Sequence, residues 1–203
     1  MISDLVSVFQ KHYGRRPTLG VRAPGRVNLI GEHTDYTQGL VMPCAIDREM
    51  VCLIAPRTDR QVQVISGAMG GGAATFSLDE LDGLPRGEWW SYVAGVAWAL
   101  GPDRLERGFD GVWGSSIPVG SGLSSSAALE LTVALALDAL HGGLGLSRLE
   151  LALLCQRAEG EYVGVKCGVM DQLAVALGQE GRALLIDCRS LQWEPVELPS
   201  WAT

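Results

Sequence analysis

Apolar residues fall at positions 2, 5, 6 and 9, and this spacing predicts a helix over residues 2–13, stopped by Gly14. The period then shortens. Residues 18–23 (TLGVRA) predict a strand running into Pro24-Gly25, and 27–30 (VNLI) a second short strand or strand edge. Residues 40–42 and 50–55 (MVCLIA) are strand-like, and 60–66 (RQVQVIS) alternates with period two, as a half-buried strand does. Residues 67–74 (GAMGGGAA) predict a plain mobile connection, since no helix opened by Lys-Ser or Lys-Thr follows the glycines. Helical spacing resumes over 90–100, with Trp90, Val93, Ala94, Ala97 and Trp98 on one stripe. Residues 109–116 predict a strand. Residues 124–140 predict the clearest helix, with Leu129, Val133, Leu137 and Leu140 on one face and Gly142-Gly143 at its end. Residues 149–161 and 171–177 predict two more helices, the second capped by Gly178. Late strands follow at 182–187 and 193–198. This order predicts an α+β domain, a two-layer mixed β-sheet with helices packed on one face.

Composition supports a packed core: 47% of the 203 residues are hydrophobic and 19% charged. The net charge of −7 argues against sequence-independent nucleic-acid binding, which needs a basic footprint. The most apolar run, 131–140, is broken by Asp138 and too short for a bilayer, so no membrane partner is expected. Five cysteines without zinc-like spacing, and a start without a signal-peptide pattern, predict reduced core thiols in a cytoplasmic protein.

Three stretches carry candidate chemistry. In PVGSGLSSSAA, over 118–128, glycines and serines lie between a strand and the best helix. Glycines let a backbone approach a ligand, and the open N–H groups of a helix start attract anions. The plain alternative is a serine-capped helix after a glycine turn. The stretch lacks GK[ST], so it is not a Walker A loop. The dinucleotide pattern would need glycine at Ser125, and a nucleophile elbow would need one at Ser126. Asp171, in CGVMDQ, opens a helix and on its own could be a cap; Glu159 on its own could be a solvated surface charge. GRVNLIGEHTDY, over 25–36, crowds Arg26, Glu32, His33, Thr34 and Asp35 beside an apolar strand. Taken separately, Arg26 could be a surface ion-pair partner and His33 structural. Together the stretches supply what phosphoryl transfer needs: an anion cradle, hard oxygens for a cation, a carboxylate and an arginine.

On these residues the chain resembles galactokinase, of the superfamily that also holds homoserine, mevalonate and phosphomevalonate kinases. GRVNLIGEHTDY is similar to the galactokinase signature almost letter for letter, PVGSGLSSSAA to the superfamily's nucleotide loop, and CGVMDQ to the segment carrying the family's catalytic aspartate. The resemblance runs from about residue 20 to residue 192. It implies a fold similar to a ribosomal-protein-like one, with ATP and Mg²⁺ as cofactors and galactose as the sugar partner.

The same resemblance implies roles. Asp171 would be the base at the sugar's anomeric hydroxyl, and Arg26 its charge partner. Glu32, His33, Thr34 and Asp35 would clamp the sugar, since carboxylates and imidazole can read a pattern of hydroxyls. Gly168 would let backbone approach the sugar. Gly120, Ser121, Gly122, Leu123, Ser124, Ser125 and Ser126 would cradle the triphosphate, Ser126 and Glu159 would hold Mg²⁺, and Ser66 and Trp89 would lie at the base end of the nucleotide.

Galactokinases carry a second domain, so residues 1–203 are expected to be the N-terminal sugar- and nucleotide-binding domain with the C-terminal domain absent, and the chain alone weakly active. Trp89, Trp90, Trp193 and Trp201 suggest a surface meant to be covered by that domain or a complementary chain. The alternatives are a silent sugar- and nucleotide-binding regulator, or a kinase for N-acetylgalactosamine, arabinose or glucuronic acid.

Overall fold

The computed structural model describes residues 1–67, 72–118 and 120–199. The elements run α1 (Ile2–Tyr13), β1 (Leu19–Asn28), β2 (Leu40–Val41), β3 (Pro43–Pro56), β4 (Gln61–Ser66), β5 (Ala73–Ser77), α2 (Ser91–Leu100), β6 (Phe109–Ser115), α3 (Ser125–Leu140), α4 (Arg148–Arg157), α5 (Met170–Leu177), β7 (Arg182–Asp187) and β8 (Gln192–Glu197). Part of the expected connection at 67–74, and Trp201, lie outside the described residues. Ala73 and Ala74, expected in that connection, instead open β5, because their backbone pairs with Ile65 and Val64.

Among the described residues the strands form one mixed sheet. Its single parallel pair is β4 with β6; the other pairs are antiparallel. β3 is the spine. Its C-terminal half pairs β6 on one side, its N-terminal half meets β7, and β1 runs along the opposite edge. β2 and β3 hold one register against β7, from Leu40↔Asp187 to Cys44↔Ala183, so they act as one interrupted line.

Both faces of β3 are buried where it is most apolar. Met50, Cys52 and Ile54 face the main core, while Val51, Leu53 and Ala55 join Leu5 and Phe9 of α1 on the other face. Side chains alternate across a strand, so an unbroken apolar run serves two layers. The expected helical layer is present as α2–α5, and α1 adds cover on the opposite face. The first half of β3 carries Asp47, Arg48 and Glu49, which is why its strand character does not read from apolar pattern alone.

α3 departs from the one-face expectation. From Ala127 to Ala134 every residue is buried, because the helix lies between the sheet and the other helices. Trp113 on β6 donates its indole N–H to Thr132 on α3 at 3.1 Å, pinning helix to sheet. Gly178 is not a left-handed cap: its φ is −51°, and an added Cβ would lie 2.7 Å from Ala45 Cβ, so close packing explains this glycine. All five cysteines are free thiols; Cys44, Cys52, Cys155 and Cys188 are buried, but Cys167 is half-buried and is not a core thiol. Among the described residues no helix is long and apolar enough to cross a membrane.

Candidate active site

A β-bulge begins the site. β1 pairs β3 from Leu19↔Ile54 to Pro24↔Glu49, shifts, and resumes at Arg26↔Ala45. The two predicted strands around Pro24-Gly25 are therefore one strand with an irregularity. At the bulge the Arg26 N–H donates to the Leu123 carbonyl at 3.2 Å. Only glycine permits this approach at residue 25, since a Cβ there would lie 2.9 Å from that same oxygen. The bulge thus ties the glycine-serine loop to the sheet.

Arg26 then joins three elements. Its Nη1 donates to the Gly122 carbonyl at 2.6 Å, and Nε and Nη2 donate to Asp171 Oδ1 at 2.9 and 2.5 Å. Ser124 Oγ donates to Asp171 Oδ2 at 2.6 Å. Both oxygens of the carboxylate are held, one by a cation and one by a hydroxyl. The arginine side chain is 11% exposed and the aspartate 27%, so the acid is the more open of the two.

The loop has the geometry of an anion nest. Gly120, Gly122 and Ser124 have φ of 71°, 72° and 58°, and the intervening Ser121 and Leu123 do not share the positive sign. Such alternation turns successive N–H groups to one side. Gly120 and Gly122 have nothing near a would-be Cβ, so their φ alone calls for glycine. Ser124 stands at the N-cap of α3 yet caps nothing, since its hydroxyl is spent on Asp171. The plain serine-capped helix therefore fails here: the first turn of α3, opened by Ser125 and Ser126, receives no side-chain cap from Ser124. Ser121 Oγ donates to the Pro118 carbonyl at 2.7 Å, bracing the loop's entry.

Glu159 is no surface charge. It is 5% exposed, on a π-helical turn (Ala158–Val163) that continues α4. Gln172 Nε2 donates to its Oε2 at 2.7 Å and Cys167 Sγ approaches the same oxygen at 3.3 Å, while the Ser126 hydroxyl is near enough to favour its charged form. Burial raises the pKa of Glu159, and these hydrogen bonds oppose the rise. Tyr92 of α2 faces the same acids, and burial, then Glu159 and Glu130, push its phenol up to about 12.

The polar stretch of 28–35 follows Arg26 along the chain and reaches the segment before Asp171, where Asp35 meets Gly168. Asn28 Nδ2 donates to Glu32 Oε1 at 2.9 Å, and Glu32 is otherwise exposed. His33 is exposed, holds a φ of 61°, and its ring lies 6.0 Å from that of Tyr36. Asp35 packs on Gly168 so closely that a Cβ at 168 would lie 1.9 Å from Asp35 Oδ2. The group approaching this glycine in the structure is a side chain. Thr34 departs from the expected clamp. Its hydroxyl lies 2.8 Å from both the Gly31 and Leu40 carbonyls, to which it can donate, so it staples its own loop.

Ser66 and Trp89 come together around Trp113: Ser66 is its partner in the β4–β6 register, and the Trp89 ring lies 6.2 Å away. Sequence reasoning missed Asn28, Tyr92, Glu130 and Gln172. Glu130 had a local signal, standing one turn after Ser126 on the same helix; Tyr92 and Gln172 had none beyond their neighbours.

Known proteins sharpen the picture. Residues 7–56 match the galactokinase galactose-binding signature, and residues 91–179 the GHMP kinases N terminal domain. A galactokinase of Chloroflexus aggregans is 47% identical over 98% of this chain and 51% of its own length. One from a Roseiflexus species is 48% identical over 97% and 50%. The chain thus spans about half the length of the curated relatives it matches. The structure of Lactococcus lactis galactokinase complexed with galactose superposes with a TM-score of 0.90, at 37% identity over 98% of this chain and 52% of that one. Methanococcus jannaschii mevalonate kinase, at 21% identity and a TM-score of 0.73, shares the fold. The bulge lies within the first of these matches and the loop and Asp171 within the second, so the chain carries the galactokinase galactose-binding signature and the GHMP kinases N terminal domain and is similar to galactokinases over nearly its whole length.

Proposed function

We propose that this chain forms the sugar- and nucleotide-binding part of a galactokinase, which moves the terminal phosphoryl group of ATP to the anomeric hydroxyl of galactose. One observation carries the reading: Arg26 bonds the Asp171 carboxylate and the Gly122 carbonyl of the phosphate loop together. Asp171 takes the proton of the anomeric hydroxyl as its oxygen attacks the γ-phosphorus. The bond to the β-γ bridging oxygen breaks, and ADP leaves with that oxygen. Arg26 steadies the carboxylate, and its second arm holds the loop at the distance the reaction needs. Ser124 fixes the other carboxylate oxygen, so Asp171 cannot rotate away. The open N–H groups of 120–126 and the first turn of α3 receive the phosphates. Glu32, His33 and Asp35 read the galactose hydroxyls, while Thr34 shapes their loop.

Ser126 and Glu159 suit Mg²⁺. They are hard oxygens near one another, and the described residues hold no cluster of three His, Cys, Asp or Glu that would bind a metal without help from phosphate. When bound there, Mg²⁺ neutralises charge on the phosphates.

Calorimetric titration tests the reading. Galactose and Mg·ATP should each bind the chain, Asp35→Ala should abolish the galactose signal and spare the nucleotide's, and turnover by the chain alone should be slow. Absence of both binding signals overturns it. N-acetylgalactosamine and arabinose in the same cell test the sugar assignment.

A further inference from the structure

Beneath Glu159 lies a second acid that the reaction does not use. Glu130 is fully buried on α3, and no cation pairs with it among the described residues. Its hydrogen-bond partner is Gln172, equally buried, whose Nε2 donates to Glu130 Oε2 at 3.1 Å and to Glu159 Oε2 at 2.7 Å. Two buried oxygens of this cluster have no partner: Glu130 Oε1 and Gln172 Oε1. They are the remaining oxygens of two groups already joined by one bond. As a carboxylate and an amide carbonyl, both would be acceptors without a donor in the interior, which is costly. A carboxylic acid and a primary amide are complementary. The amide N–H meets one acid oxygen, and the acid O–H meets the amide oxygen, closing a ring. One proton on Glu130 Oε1, shared with Gln172 Oε1, would give both orphans a partner.

We propose that Glu130 is a positioning residue: as a neutral acid it locks Gln172 in a closed acid–amide pair, which aims the second N–H of Gln172 at Glu159. The surroundings agree. Glu130 is faced by Tyr92 of α2, Cys155 of α4, Glu159 and Cys167 beyond it, and Asp171 of α5. Burial first, then Glu159, hold its carboxyl well above the usual range. Such a pair keeps one acid neutral and leaves its neighbour available as a charged ligand. Gln172 follows Asp171 directly, so this clamp joins the helix of the base to the helix of the phosphate loop. Groups that orient a ligand's oxygen without touching the metal commonly set its affinity.

The pairing stands on its own geometry; only the benefit to Glu159 as a metal ligand rests on the function proposed above. The test compares the wild type with Glu130→Gln and Glu130→Leu. The side-chain NH₂ of Gln172 is followed by ¹⁵N NMR exchange, assigned by its loss in Gln172→Met. Mn²⁺·ADP affinity is measured by electron paramagnetic resonance, and galactose affinity by calorimetry. Glutamine at 130 closes the same ring as an amide pair, so the Gln172 resonances should stay protected and Mn²⁺·ADP affinity should stay within about twofold. Leucine should release Gln172, cut the protection, and weaken Mn²⁺·ADP on the order of tenfold, with galactose affinity unchanged. Loss of protection in Glu130→Gln overturns the proposal, because it means an ionised carboxylate was required. If Glu130→Leu fails to fold, Glu130→Gln against the wild type still decides. Protected Gln172 resonances in a wild type that binds no Mn²⁺·ADP support the pairing and count against the proposed function.

Discussion

Asp110 and Glu159 are both acids inside this molecule, 4% and 5% exposed, yet their surroundings are opposite. Asp110 on β6 meets Arg15 at 2.6 Å through one oxygen and Arg57 at 2.8 Å through the other. Arg57 also reaches Asp59, and that hydrogen bonding pulls Asp59 down to about 2. The cluster is saturated by the chain's own cations. Glu159 is bonded by a thiol and an amide, with the Ser126 hydroxyl nearby, but by no arginine or lysine among the described residues, and a second acid, Glu130, shares its amide. An acid compensated within the fold is a structural joint. An acid left short of positive charge at the mouth of an anion nest suits a cation that arrives with the ligand. Asp171 combines features of each: it has an arginine, as Asp110 does, yet it is open enough to meet a ligand.

The largest effect should come at that intermediate case. Asp171→Asn keeps size and hydrogen bonding but cannot take the proton, so initial phosphorylation rates should fall about 10²–10⁴-fold while nucleotide titrations stay near wild type. An unchanged rate would place Asp171 with the structural acids. Next, Asp110→Asn should cost about 2–3 kcal/mol in denaturant unfolding, the low side for breaking a buried ion pair because both arginines reach solvent. Ligand binding should be spared. Glu159→Gln should do the reverse, leaving the midpoint of unfolding level or higher and weakening Mg·nucleotide at least about tenfold. A loss of stability like that of Asp110→Asn would break the contrast.

The smallest effect concerns pH. The folded pKa of Glu130 is raised, so its contribution to stability is complete below the unfolded value and is lost as pH rises through the folded one. Glu130→Gln lacks that proton. Its stability should therefore gain on the wild type as pH rises, by no more than about 1.4 kcal/mol per pH unit, read from paired melts across the series. A parallel pair of curves would show that Glu130 does not change charge over the range.

Much of the architecture was legible because it is periodic. α1 and β4 repeat at 3.6 and 2 residues and lie close to where the spacing predicts them, and β6 and β7 lie close to the strands expected at 109–116 and 182–187. β5 was not legible, because a short alanine-rich edge strand has little apolar contrast and depends on pairing with β4. The first half of β3 was hidden by its charges. Among the expected site residues, Arg26, Asp171 and the serine loop each stand in a dense local motif, and the structure brings them into contact. Thr34 belongs to that motif too, but its hydroxyl faces two backbone carbonyls, and no letter pattern separates a staple from a clamp.

What the sequence determined by itself was local: the turn that only glycines can make at 120 and 122, the helix start behind it, and the polar crowd at 26–35. What only the tertiary structure decided was which distant groups meet. Arg26 and Asp171 stand 145 residues apart, and Gln172 reaches back 42 residues to Glu130. Burial of Glu159 follows from α2, α3 and α5 closing around one turn. Charge compensation and desolvation depend on every neighbour in space, and no spacing along the chain records them.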